Sequence, residues 1–325
     1  MNGSGISVII CCYNSATRLP TTLKYLAVQN AGHEIPWEII IVNNCSTDNT
    51  VDVAKEEWQK HRSNISLHIV EEQQPGLSFA RQAGIAAAKY EYIIFCDDDN
   101  WLDENYLSTA YQTMQLNKNI GALGGWGTAV SDAVFPDWFP QYEGGYAVGK
   151  PLFGSGEVPQ GQYLVGAGLV FKKSVFQQAY DQFPTLLTDR MGNQLTAGGD
   201  TEFIMRLLLM GYKIYFEASL HFKHFIPAER LTLAYRDKLF SGFKSSSGVL
   251  DIYSLYIHKK SQTFLNKIGI VLKCLIRLIT CAIQPIRGWQ LSKEISLLYH
   301  YTGIRLGRIH KSETQIRQFL KKFSA

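Results

Sequence analysis

The chain has 325 residues, 46% hydrophobic and 18% charged, with a formal net charge of +4. It is long and apolar enough for one large core and a second, smaller unit, which excludes a disordered or low-complexity chain. The charge is uneven. Residues 257–325 hold 13 Lys and Arg against Glu294 and Glu313, net +11, and the residues before them hold 19 basic and 26 acidic side chains, net −7. The sequence therefore reads as an acidic body with a basic tail.

Apolar runs at 6–12, 37–42, 66–70 and 92–96 recur every 25 to 30 residues or so with helical patterns between them. This is the rhythm of βαβ units and predicts an α/β fold with a mostly parallel, buried sheet. The first intervening helix carries Leu19, Leu23 and Leu26 at helical spacing, with Pro20 where a first turn tolerates it. The second has Ser46, Thr47 and Asp48 as cap candidates before Val51, Ala54 and Trp58. The third, 77–89, is rich in alanine, so propensity and pattern agree.

Beyond residue 96 the pattern loosens. Between 121 and 162, glycine, proline and aromatic residues crowd together, among them Gly124, Gly125, Trp126, Trp138, Pro140, Tyr142, Gly144, Gly145 and Tyr146. A long loop is expected there, either functional, with aromatic faces to stack on sugars, or an irregular packed connection. A strand at 163–171, helices near 174–180 and 200–210 and a strand at 213–216 follow. The six cysteines (Cys11, Cys12, Cys45, Cys96, Cys274, Cys281) form no CxxC pair or spaced ligand set. A reducing cytoplasm is expected, with no export signal ahead of the first strand.

Asp97, Asp98 and Asp99 stand directly after the run Tyr92, Ile93, Ile94, Phe95, Cys96. A buried strand ending in crowded carboxylates delivers negative charge to the carboxyl edge of the sheet, where such folds bind ligands. The mutual repulsion is relieved by a hard divalent cation that shares its shell with substrate phosphates, or the triplet is a solvated turn with Asp103 and Glu104 in the first turn of the next helix.

The segments SVIICCYN, EIIIVNNCSTDNT, PGLSFARQAGI, YIIFCDDDNWL, GAGLVF and GGDTEFIMRLLLMGY, in that order, resemble the inverting family 2 glycosyltransferases with the nucleotide-sugar-binding GT-A fold. The resemblance covers residues 6–235. It implies a catalytic domain at 1–235, followed by a basic, amphipathic helical region at 236–325. It also implies that Cys12, Tyr13, Asn14, Asn43 and Asn44 hold the base and ribose of a nucleotide sugar. The family commonly places an acid at the second strand end. This chain has two asparagines, which donate as well as accept, so the base is open, with uridine first; local turn chemistry is the alternative for the pair.

The metal motif of the family is two acids separated by one residue. Asp97 and Asp99 match it, Asp99 for Mn2+ or Mg2+ and Asp97 for ribose and metal, with Asp98 between them. Arg81 is a candidate contact to the diphosphate or sugar, or an ordinary surface ion pair. His224 and Arg230 in HFKHFIPAERLT are candidates to close over the phosphates, since imidazole ligates metals and guanidinium matches phosphate geometry. Inverting transfer also needs a base for the acceptor hydroxyl. Asp200 matches the acidic position of the family before an apolar RL segment, with Gly199 where a glutamate is usual, and helix capping is its other role. Gly166 and Gly168 allow close backbone approach to a sugar, or tight packing.

In the tail, residues 268–283 are apolar apart from Lys273 and Arg277, which share a helical face. The segment is too short and too charged to span a bilayer. It suits an interfacial helix on anionic lipid, with Val271, Leu275, Leu278, Ala282 and Ile283 beside the cationic face and Trp289, Tyr299 and Tyr301 as boundary residues, or else a helix packed on the catalytic domain. The expectation is a metal-dependent inverting glycosyltransferase of surface or envelope polysaccharide, cytoplasmic and peripheral on the inner face of the plasma membrane. Its expected partners are a nucleotide-sugar donor and a glycan or lipid-linked acceptor, with no nucleic acid. The alternatives are a non-catalytic glycan-binding scaffold on a degenerate transferase fold and a sugar-phosphate nucleotidyltransferase. The latter class carries a glycine-rich phosphate loop after its first strand, and residues 13–19 contain no glycine.

Overall fold

The computed structural model describes residues 3–32, 34–187, 190, 197–257, 264–281, 298 and 311–323. Its centre is a nine-stranded sheet in the order β3-β2-β1-β4-β8-β6-β9-β5, with β7 on β9. The strands β1 (Gly3–Cys12), β2 (Trp37–Asn44), β3 (Ser66–Glu72) and β4 (Tyr90–Phe95) are the four apolar runs, all paired in parallel. Side chains alternate between the two faces of a strand. Along β1, accordingly, Ile6, Val8 and Ile10 enter one core and Ile9 the other.

Helices cover both faces. On one lie α1 (Leu19–Ala27), α2 (Thr50–Lys60) and α4 (Tyr106–Leu116), which supply Leu23, Leu26, Trp58, Leu107 and Met114. On the other lie α3 (Leu77–Ala87), α5 (Lys173–Tyr180) and α6 (Gly199–Leu209), which supply Ala80, Ile85, Val175, Phe203 and Leu207. Buried apolar side chains of this kind are each worth about 1.5–3 kcal/mol, which makes the two faces the main source of stability.

Four expectations are corrected. Residues 121–130 are not loop: β6 (Ile120–Val130) is a buried strand, and its glycines let β9 (Lys213–Phe225) come close, since a Cβ at Gly125 would strike the Leu220 carbonyl. The strand expected at 163–171 shrinks to β8 (Val170–Lys172), antiparallel to β4 and β6. Residues 163–169 are instead an irregular wall, because Gly168 takes φ +70° and its carbonyl accepts the Tyr106 hydroxyl at 2.7 Å. The strand expected at 213–216 runs on to Phe225, paired with β6 along its length. Finally, β5 (Asn100–Leu102) intervenes after the triplet, so α4 starts at Tyr106 and Asp103 and Glu104 lie ahead of its first turn.

Helix α7 (Leu233–Ile257) runs unbroken across residues 235 and 236 and packs on α6. Among the described residues two more helices follow, α8 (Phe264–Cys281) and α9 (Lys311–Phe323). Helix α9 folds back on the domain through Ile316 and Phe319, both 1% exposed, with the Phe319 ring 5.3 Å from Phe183. Ala282, Ile283, Trp289, Tyr299 and Tyr301 lie outside the described residues.

Candidate active site

At the carboxyl edge of β1 and β4 lies a cavity of about 690 Å³. Strand β4 ends at Phe95, and Cys96 donates its N–H to Ile9 at 3.0 Å, so the triplet emerges at the topological centre of the sheet, where α/β folds bind ligands. The antiparallel pairing of β5 with β9 sets Asn100 opposite His224, and the Phe225 N–H donates to the Asp99 carbonyl at 2.9 Å. Backbone register thus brings together two segments some 125 residues apart in sequence.

The three acids are not equivalent. The Asp99 carboxylate lies 2.9 Å from Arg230 Nη1 and 3.4 Å from His224 Nε2. Burial by itself would raise its pKa, but His224, Arg230 and Arg18 overcome this and hold the carboxyl well below its usual range. Asp98 turns to Arg18, which donates to it from Nη2 at 2.6 Å and from Nε at 3.1 Å, while Thr22 anchors its carbonyl at 2.7 Å. Burial and the neighbouring Asp99 push Asp98 upward, and Arg18 opposes them. Asp97 is raised by burial and by Asp99, with Arg81 pulling the other way.

His224 donates from Nδ1 to the Tyr146 carbonyl at 2.8 Å, which aims Nε2 at Asp99. Burial lowers the imidazole pKa, Asp99 and Asp97 together outweigh it, and the net shift is upward. The Tyr146 hydroxyl donates in turn to the Arg230 carbonyl at 3.0 Å. Segment 139–147 therefore braces both basic residues.

On the opposite wall Arg81 is no surface residue. It is buried in α3, with its guanidinium 4.8 Å over the Phe95 ring and 2.5 Å from Asp200 at the first turn of α6. A Cβ at Gly166 would run into the Asp200 carboxylate, so this glycine makes room for the acid itself. Gly198, at φ +128°, swings the chain into α6 beneath Ser246, whose hydroxyl donates to the Ala197 carbonyl.

Cys12, Tyr13, Asn44, Arg81, all three triplet acids, Gly166, Asp200, His224 and Arg230 line this one cavity. Tyr13 is 51% exposed at its mouth. Asn14 and Asn43 stand outside it, bonded to other segments. Asn14 Oδ1 accepts the Thr47 N–H at 2.7 Å, and Asn43 donates to Glu71 at 2.7 Å. The Asn44 amide spans the β3–α3 connection, donating to the Gln74 carbonyl at 2.7 Å and accepting from Gly76 at 2.8 Å. The Asn43 and Asn44 side chains thus tie β2 to the end of β3 and to the β3–α3 connection.

Sequence reasoning missed Arg18, Arg190 and one face of α7, which presents Leu239, Phe243, Ser246 and Leu250 to the cavity. The α7 positions recur at i, i+4, i+7 and i+11, so their helical spacing was the available signal. Arg18 and Arg190 gave none.

Residues 7–178, just over half of the chain, match the family model described as glycosyl transferase family 2. The chain belongs to that family. It is 27% identical over 237 residues to the poly(ribitol-phosphate) beta-glucosyltransferase of Bacillus spizizenii, covering 71% of this chain and 34% of that protein. It is 32% identical over 110 residues to glycosyltransferase GlyG of Streptococcus pneumoniae, covering 34% and 35%. The chain spans about a third or less of the length of the first such relatives. S. aureus TarS 1–349 in complex with UDP-GlcNAc superposes with a TM-score of 0.54 at 15% identity, over 98% of this chain and 89% of that one. At that identity the likeness shows the fold alone, and the fold is the expected GT-A arrangement.

Proposed function

We propose that the chain transfers a sugar, with inversion, from a nucleotide-activated donor, UDP-linked first of all, to a glycan or lipid-linked acceptor of the cell surface or envelope. We place this work at the cytoplasmic face of the membrane. The observation that carries the reading is the convergence of Asp97 and Asp99, His224 and Arg230, and Arg81 and Asp200 from distant parts of the sequence on one cavity at the sheet edge. The similarity to a poly(ribitol-phosphate) beta-glucosyltransferase supports a polymeric acceptor.

In this reading Tyr13, exposed at the mouth, stacks on the base, while Asn44 holds the loop that borders it. Arg18, Arg81 and Arg230 face the diphosphate, where a guanidinium matches phosphate oxygens in pairs. Asp200 takes the proton of the acceptor hydroxyl as that oxygen attacks the anomeric carbon, and Arg81 fixes the orientation of its carboxylate. Asp97 and Asp99 supply the carboxylate oxygens that suit Mn2+ or Mg2+, with His224 Nε2 beside Asp99. Among the described residues no three such groups already stand as a ligand cluster, and Arg230 and His224 take up the Asp99 oxygens. A cation there would be held by Asp99 and Asp97 and would supply positive charge against the departing nucleoside diphosphate.

The test is hydrolysis or transfer from UDP-, GDP- and dTDP-sugars, with manganese or with chelator, in wild type, Asp99→Ala and Asp200→Asn. Turnover of one donor that is lost with chelator and in Asp99→Ala, and strongly reduced in Asp200→Asn, is the expected result. Absence of any nucleotide binding with metal present would overturn the reading in favour of a scaffold.

A further inference from the structure

Helix α8 carries 18 residues and no acid, with Lys267, Lys273 and Arg277 among them. Its described side chains divide into two apolar sets. Cys274 is 2% exposed and Val271 and Leu278 are half-buried, so one side is packed. Ile268, Leu272, Leu275, Ile276 and Ile279 are 39–66% exposed. At about 100° per residue, these five fall within a stripe about 100° wide, turned away from Cys274, with Lys273 beside it. This differs from the sequence expectation, which placed Val271 and Leu278 on the lipid-facing side.

An open aliphatic stripe is not a property of the tail in general. Helix α9 is equally amphipathic, yet it buries Ile316 and Phe319 on the domain and ties its end down through Lys322 to Asp181 at 3.0 Å. No helix among the described residues is long and apolar enough to cross a membrane. An apolar stripe with Lys273 beside it, on a tail with 13 basic and 2 acidic side chains, is complementary to an anionic lipid surface.

We propose that α8 lies in the headgroup region of an anionic leaflet, with Ile268, Leu272, Leu275, Ile276 and Ile279 turned into the lipid and Lys273 at the phosphate level. The occupant is the bilayer, not a partner protein. The inference deepens the envelope reading by giving the membrane contact an address, and its test is independent of the donor chemistry.

The full chain is floated with vesicles of phosphatidylcholine alone and of phosphatidylcholine with phosphatidylglycerol, and donor hydrolysis is measured in parallel. Wild type is expected to float only with the anionic vesicles. Lys273→Glu should weaken partitioning about fivefold or more. The triple variant Leu272→Asn, Ile276→Asn, Ile279→Asn should weaken it about a hundredfold with hydrolysis retained. Hydrogen exchange of the wild type reads the same contact without any substitution: anionic vesicles should protect 264–281 and leave 311–323 unchanged. Failure of wild type to float, undiminished flotation of the triple variant, or unprotected 264–281 amides would each overturn the proposal. So would a wild-type dimer by light scattering that the triple variant abolishes and that ignores vesicles. An active transferase that ignores vesicles sinks this inference alone, whereas a chain that floats and turns over no donor sinks the catalytic reading alone.

Discussion

Two buried clusters of carboxylate and arginine lie on this fold, and they have opposite characters. In one, Glu202 and Arg206 sit four residues apart on α6, 0% and 1% exposed, and pair at 2.7 Å. Arg206 also donates to the carbonyls of Ala179 and Pro184, each at 2.9 Å, and to the Tyr253 hydroxyl at 3.0 Å, which donates in turn to Glu202. The remaining Glu202 oxygen accepts the Leu187 N–H and the Thr185 hydroxyl. In the other, Asp97, Asp98 and Asp99 crowd three carboxylates against Arg18, His224 and Arg230 at the wall of a cavity. The first cluster is closed and satisfied, and it fastens α6 to α7 and to the 179–187 segment. The second is open on one side to a cavity, with charged groups left facing it, which is how sites that must act on a ligand are built.

The contrast breaks if the two clusters respond alike to substitution. Asp99→Asn should lower kcat/KM at least about a thousandfold, the scale of losing a charge aimed at the reacting groups, while lowering the unfolding midpoint less than Glu202→Ala does, because Asp97 and Asp98 still face His224 and Arg230. Steady-state kinetics and a thermal melt on the same sample check both halves. Glu202→Ala should do the reverse, costing about 3–5 kcal/mol of stability because Arg206 is left as an uncompensated buried charge. Urea denaturation reads this directly. The double variant Glu202→Leu, Arg206→Met should recover part of the loss, since replacing both charges leaves nothing unpaired.

A third substitution sharpens the difference within the open site. Gly166→Ala adds one methyl group against the Asp200 carboxylate, so the acid must rotate off its present position. A fall in kcat of about tenfold to a hundredfold, with KM for the donor nearly unchanged, is the expected signature of a displaced catalytic group. An equal rise in donor KM would assign Gly166 to donor binding instead.

The smallest effect belongs to Asp48, an exposed acid just ahead of α2. It accepts the N–H groups of Ala16 and Thr50, both at 3.1 Å, and the Thr50 hydroxyl. Slight burial would raise its carboxyl, but these donors outweigh it and lower the pKa. Asp48→Ala should cost about 0.5–1 kcal/mol, the lower range for such caps. A depressed carboxyl contributes its stability above the unfolded pKa and loses it as pH falls through the folded one. The deficit should therefore be full at pH 7 and shrink below about pH 4. A pH series of urea melts decides it.

The sequence by itself determined the parts of this protein that depend on local spacing. The four apolar runs became β1 to β4 in parallel register, the leucines of α1 and the Ala80–Gly84 face of α3 turned inward, and Asp97–Asp99 emerged at the sheet edge, because side-chain period and burial are coupled within a single element. Glycine misled the reading at 121–130, where the small residues serve close packing of β6 on β9 and not a loop. Which groups meet was decided only by the tertiary structure. His224 reaches Asp99 through the β5–β9 pairing, Arg18 reaches Asp98 across the sheet edge, and Arg81 reaches Asp200 from a different helix. Whether the apolar face of a tail helix is covered, as in α9, or left open, as in α8, was decided there too. Contacts between distant segments depend on the path of the whole chain, and no local pattern of residue types encodes that path.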